Sequence, residues 1–160
     1  MSAPSRRRRT FADRFRWYWR LLNRTDSFTV RMTGTCFLGL VRRSPVLVLE
    51  TTGRRSGKRR RAAVIYWSQD GAYFVGGGAA GMTRVDWVAN VRARPRIAVG
   101  VRRRRVEVVA TELVGAEAER ARSYAFGRWK SDKYERISGR RTPFFRLDPV
   151  AGAGGQRSTP

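Results

Sequence analysis

The chain reads as an α+β protein, mainly β, in which about six short strands close a small antiparallel barrel with helices inserted and appended. Three observations predict this. Short β-branched or aromatic runs recur between turn residues, as half-buried strands do. Two connections, Asp70-Gly71 and Arg102 to Arg105, read as hairpins. The helical stretches are too few to alternate with the strands, which argues against βαβ units and a parallel sheet. At 160 residues the chain is the size of one domain, long enough to bury a real core.

Residues 1–9 are small, polar and basic and are expected to form a disordered arm. Phe11, Phe15, Tyr18, Trp19 and Leu22 then share one face at helical spacing, with Arg14 and Arg20 off it, which predicts an N-terminal amphipathic helix. Strands are predicted over Val46 to Thr51 and Ala62 to Ser68, and Asp70-Gly71 turns the second into a strand over Ala72 to Gly76. From Arg84 to Arg94, Trp87, Val88 and Val91 share a face and Pro95 ends the run, as in a short helix. Ile97 to Val101 and Val106 to Leu113 pair across the basic run Arg102 to Arg105. Ala116 to Lys130, rich in Ala, Glu and Arg, is a helix, and Pro143 to Leu147 is the last strand. The Gly-rich stretch 151–160 has nothing to bury and is expected to be a disordered tail, so the folded domain is 10–150.

Lys and Arg total 35 against 12 Asp and Glu, a formal net charge of +23, and all the basic residues but Lys58, Lys130 and Lys133 are Arg. An anionic partner follows, whether nucleic acid, an anionic membrane or a phosphorylated small molecule. The competing explanation is an arginine bias imposed by a GC-rich coding sequence. Cys36 is the single cysteine, so an intrachain disulfide is excluded, and its apolar run Cys36 to Val41 makes it buried filler. With no His, a transition-metal site and a His-based triad are excluded. No run approaches the ~18 apolar residues of a membrane span. Arg6 to Arg9 is not followed by a signal-like apolar segment, so the expected location is the cytoplasm.

The most informative stretch is Thr51-Thr52-Gly53-Arg54-Arg55-Ser56-Gly57-Lys58-Arg59-Arg60-Arg61, between two predicted strands. Two glycines permit a tight connection with outward N–H groups, and guanidinium groups offer paired planar donors to phosphate or carboxylate oxygens. This is the composition of an anion cradle. It departs from a nucleotide-triphosphate P-loop, because three residues separate Gly53 from Gly57 and no Ser or Thr follows Lys58. A solvated basic hairpin turn is the alternative reading of the same residues.

This turn is followed by a hairpin, a Gly-rich turn and Asp86-Trp87-Val88-Ala89-Asn90-Val91-Arg92-Ala93-Arg94-Pro95, and the chain closes on Tyr134, Arg140-Arg141, Pro143 and Leu147-Asp148-Pro149. Together these blocks resemble the deazaflavin (F-420)-dependent nitroreductase and quinone reductase family over about residues 46–150. The resemblance implies a split β-barrel of the FMN-binding type, often a homodimer or weakly membrane-associated. It also implies hydride transfer from reduced coenzyme F-420 to a small lipophilic acceptor: a quinone, an enone or lactone, or a nitroaromatic. By the same resemblance Arg54, Arg55 and Arg60 meet the coenzyme's phosphate and glutamyl carboxylates, with Ser56 and Gly57 as hydroxyl or backbone donors. Gly77, Gly78 and Ala79 let the backbone approach the deazaflavin ring, Trp87 borders the ring, and Ala63 and Asp86 complete the coenzyme site. Tyr134 is the implied proton or hydrogen-bond donor to the acceptor, with Ser131 second.

Three departures accompany the matches. A Lys common after the hairpin is replaced by the Gly77, Gly78, Ala79 run, and a Pro usual after the arginine turn is Ala63. Two tyrosine positions of the nitro-reducing members hold Arg128 and Ser131, which argues against nitro reduction. A non-catalytic nucleic-acid binder, using the clusters at 6–9, 59–61 and 102–105, is the alternative class. A split-barrel protein binding FMN in place of the deazaflavin is another. The N-terminal helix packs on the barrel, caps a substrate pocket or makes peripheral membrane contact.

Overall fold

The computed structural model describes residues 44–77, 85–102, 104–129 and 132–150, with the side chain of Tyr134 outside the description. The expected basic arm, the expected N-terminal helix, the Cys36 run and the tail 151–160 lie outside the described residues. The described residues form six strands: β1 (Val46–Thr52), β2 (Arg59–Gln69), β3 (Ala72–Gly76), β4 (Arg96–Val101), β5 (Arg104–Glu112) and β6 (Phe144–Pro149). They form a closed barrel in the order β1-β2-β3-β6-β5-β4. Every adjacent pair is antiparallel, including β1 with β4, which closes the ring. Helix α1 (Asp86–Ala93) links β3 to β4, and α2 (Gly115–Trp129) and α3 (Asp132–Ser138) link β5 to β6.

Alternation along the strands sets the interior. Leu47 and Leu49 of β1 face Val64 and Ala62 of β2 inside the barrel. Val75, Val99, Val108, Phe145 and Leu147 join them at full burial. Each such side chain stabilises the fold by about 1.5–3 kcal/mol relative to an exposed one. Helix α1 adds Trp87, Val88 and Val91 to the same core, the apolar face expected from their spacing. A second cluster lies outside the barrel, where Trp67 of β2 stacks on Phe74 of β3 at 5.3 Å and Ala121 and Ala125 of α2 cover them.

The Asp70-Gly71 hairpin is as expected: φ is 50° at Asp70 and 78° at Gly71, the left-handed pair that a two-residue turn requires. Several boundaries differ. β2 begins at Arg59 rather than Ala62, because Thr52, Thr51 and Glu50 continue the β1 ladder opposite Arg59, Arg60 and Arg61. β5 likewise begins at Arg104, opposite Val101, rather than at Val106. Ladder hydrogen bonds run between backbones, so flexible arginine stems do not end a strand whose outer side meets water. α1 starts at Asp86, with Arg84 outside the described residues. β6 starts at Phe144 and reaches Pro149 rather than ending at Leu147. α3 was not expected at all: Asp-Lys-Tyr-Glu-Arg-Ile-Ser carries no apolar stripe to announce it.

Candidate functional site

The arginine turn is a compact bend at the end of the barrel that α1 plugs. The Gly53 N–H donates to the Lys58 carbonyl at 2.8 Å, and the Gly57 N–H to the Gly53 carbonyl at 2.8 Å. Gly57 has φ +64°, a conformation that favours glycine, and a Cβ on Gly53 would lie 3.3 Å from the Lys58 carbonyl oxygen, so the bend closes tightly on Gly53. The Lys58 N–H donates to Ser56 Oγ at 3.4 Å. The N–H of Gly57 and the hydroxyl of Ser56 therefore serve the bend itself, and the donors it offers outward are mainly guanidinium groups.

Asn90 of α1, 5% exposed, ties this bend to the helix. Its Oδ1 accepts from the Arg54 N–H at 3.1 Å, and its Nδ2 donates to Thr51 Oγ1 at 3.4 Å. Sequence reasoning noted Asn90 within a motif but gave it no role. A polar residue on the apolar side of a short helix was the available signal, since a buried amide needs partners.

Register sorts the arginines. Glu50 pairs with Arg61 across the ladder, and that carboxylate receives Arg61 Nε at 3.0 Å and Arg105 Nε at 3.2 Å. Arg60 alternates with Arg61 and shares the inward register of Ala62 and Val64. Its Nε lies 3.7 Å from the position of a Gly53 Cβ, at the rim of the bend. Arg54 is half-buried, Arg55 and Arg60 are exposed, and none of the three pairs with a carboxylate among the described residues. Ala63 sits opposite Val48 on the other side of β2 from Arg60, so it is not brought to the bend.

Of the remaining expected residues, Asp86 opens α1 and is exposed. Trp87 is 8% exposed, with its ring 5.6 Å from that of Phe145, so it presents little of its face to any ligand. Gly77 is buried: its N–H donates to the Pro143 carbonyl at 2.8 Å, and its carbonyl accepts from Arg140 Nη2 at 2.8 Å. A Cβ there would lie 2.8 Å from Val88 Cγ2 and 2.9 Å from Pro143 Cγ, so packing within the protein already demands this glycine. Gly78, Ala79, Ser131 and the side chain of Tyr134 lie outside the described residues.

On the other flank of α1, a cleft of about 300 Å³ is lined by Val85, Val88, Ala89, Arg92, Arg140, Arg141 and Pro143. Arg92 is held by Glu112 through Nε at 2.7 Å and Nη2 at 2.6 Å. The hydrogen bonds that Arg92 donates to Glu112 hold its pKa above the ordinary guanidinium value.

A family model described as F420H(2)-dependent quinone reductase matches residues 20–149. No curated protein sequence matches the chain. Among solved structures, one described as F420-H2 Dependent Reductase (FDR-A) is 26% identical with a TM-score of 0.58, covering 65% of this chain and 94% of that one. A second, described as a domain-swapped dimer, is also 26% identical at TM-score 0.58, covering 65% of this chain and 80% of its own. Atu2129 of Agrobacterium tumefaciens, of unknown function, is similar in fold at 21% identity and TM-score 0.53, covering 72% of this chain and 55% of that one.

Proposed function

Since this chain belongs to the F420H(2)-dependent quinone reductase family and is an F420-dependent reductase with a split β-barrel fold, we propose that the bend at residues 53–60 holds the coenzyme's acidic tail. One observation carries this reading. Arg61, on the outer side of β2, is neutralised by Glu50, whereas Arg54, Arg55 and Arg60 at the rim meet no carboxylate among the described residues. Guanidinium groups without acidic partners, on a bend braced by Asn90, suit phosphate and carboxylate oxygens. Bound there, the reduced deazaflavin supplies the hydride.

In this reading the protein orients rather than reacts. Arg54, Arg55 and Arg60 fix the tail, Gly78 and Ala79 border the ring, and Asp86 and Trp87 hold α1 beside it. Tyr134, and less directly Ser131, hydrogen-bonds the acceptor oxygen as charge develops on it. The acceptor is a lipophilic quinone, which the family supports and a cytoplasmic protein resting on the inner membrane surface could reach.

The test is titration of the purified protein with the coenzyme, followed by its absorbance. Arg55→Ala and Arg60→Ala should each weaken binding by about 1–3 kcal/mol while leaving the circular dichroism unchanged. Unchanged affinity in both variants would overturn the assignment. Oxidation of the reduced coenzyme should be fastest with quinones, against enones, lactones and nitroaromatics compared side by side.

A further inference from the structure

Helix α3 has no apolar seat: its single aliphatic side chain, Ile137, is 55% exposed. Asp132 and Arg136 pair with each other at 2.9 Å within the helix. Glu135 reaches out of it instead. Its Oε1 accepts both from Arg122 Nη1 of α2 and from the Thr142 N–H at 2.5 Å, while Arg122 Nη2 donates to the Thr142 carbonyl at 3.4 Å. The Glu135 backbone carbonyl accepts in turn from the Gly139 N–H at 2.8 Å, where φ of 63° ends the helix. The two side chains are largely enclosed, Glu135 being 20% and Arg122 13% exposed, and charge-assisted hydrogen bonds shielded from water hold their geometry well.

This clasp joins two segments that the coenzyme reading puts on opposite sides of the transfer. On one side, Glu135 directly follows Tyr134, the residue proposed to meet the acceptor, in α3. On the other, Thr142 precedes Pro143, whose carbonyl accepts from the Gly77 N–H at 2.8 Å and whose Cγ lies 2.9 Å from the position of a Gly77 Cβ. Gly77 leads into Gly78 and Ala79, proposed to border the ring. Hydride transfer is steep in geometry, a misplacement of about 1 Å costing on the order of 100-fold in rate. We propose that Glu135 is a positioning residue for the reduction: it fixes α3 against Thr142, Pro143 and Gly77, and so sets the spacing between acceptor and coenzyme ring. This role rests on the coenzyme reading, with Tyr134 at the acceptor and Gly78 and Ala79 at the ring.

Glu135→Gln keeps an oxygen for both donors, and Glu135→Ala removes it. The first measurement is hydrogen–deuterium exchange of the full chain without coenzyme. Glu135→Ala should speed exchange on the order of tenfold at the Gly77 amide as well as at Thr142, and Glu135→Gln should not. The second is oxidation of saturating reduced coenzyme by menadione. Glu135→Ala should lower kcat on the order of tenfold while the coenzyme Kd stays within about twofold, and Glu135→Gln should recover most of the rate. Val99→Ala, a cavity in the barrel core away from the clasp, controls for lost stability and should keep kcat. An unchanged Gly77 amide, a kcat loss no greater than that of Val99→Ala, or a Gln variant as slow as Ala would overturn the role. Should Glu135→Ala unfold by circular dichroism, Glu135→Asp, shorter by one methylene, takes its place with the same outcomes. Tyr134→Phe at full kcat would instead remove the acceptor assignment, and the exchange at Gly77 would still show whether Glu135 holds that path.

Discussion

Replacing Asn90 by Ala removes an acceptor from the Arg54 N–H and a donor from Thr51, two groups in the bend and the strand leading into it. We expect a loss of about 1–3 kcal/mol in urea unfolding, with coenzyme affinity falling in parallel because the bend loses its brace. A variant that unfolds earlier yet binds as before would separate the brace from the site. Gly77→Ala should destabilise by about 1–3 kcal/mol, since its methyl group would press on Val88 and Pro143. An unchanged midpoint would show that these neighbours give way. At this scale the arginines and glycines of the bend were legible, because their chemistry is written in residue types. What Asn90, Gly77 and Arg140 touch was not, because each contact joins segments brought together only by closure of the barrel.

Elements that carry their own periodicity were the legible ones: α1 by Trp87, Val88 and Val91, α2 by its composition, and the β2–β3 hairpin by Asp70-Gly71. Gly71→Ala should cost about 1 kcal/mol, because φ of 78° suits glycine alone; thermal unfolding measures it. α3 is stabilised from outside itself. Glu135 on α3 pairs with Arg122 of α2 and accepts from the Thr142 N–H at 2.5 Å, while Arg122 lies 5.6 Å from the Phe126 ring and 5.8 Å from the Phe144 ring. Glu135→Ala would leave a largely enclosed guanidinium without its main partner, a loss of about 3 kcal/mol. Asp148→Ala, at the exposed pair with Arg146, should cost under about 1 kcal/mol. Equal losses in denaturant unfolding would mean that the clasp is no stronger than a surface pair. No local pattern announces such a helix, because its partners are an arginine and a backbone amide elsewhere in the chain.

Over the whole molecule, carboxylates are scarce enough to be shared. Glu50 serves Arg61 and Arg105, and Glu107 serves Arg105 and Arg96 at 3.8 and 3.6 Å, a chain of alternating charges with an arginine at each end. With a net charge of +23, self-repulsion opposes the compact state. Raising ionic strength from roughly 0.01 to roughly 0.15 M shortens the screening distance from ~30 to ~8 Å. The unfolding temperature should therefore rise while coenzyme affinity falls, and a fall in both would mean that attraction, not repulsion, dominates the surface. The ring of strands carries one more consequence. β6, the sixth in chain order, is flanked by β3 and β5 and brings Phe145 and Leu147 into the core. During translation the barrel must wait for that segment to leave the ribosome, with two strand margins bare in the meantime. A chain cut after residue 142 should accordingly be captured by chaperones or aggregate.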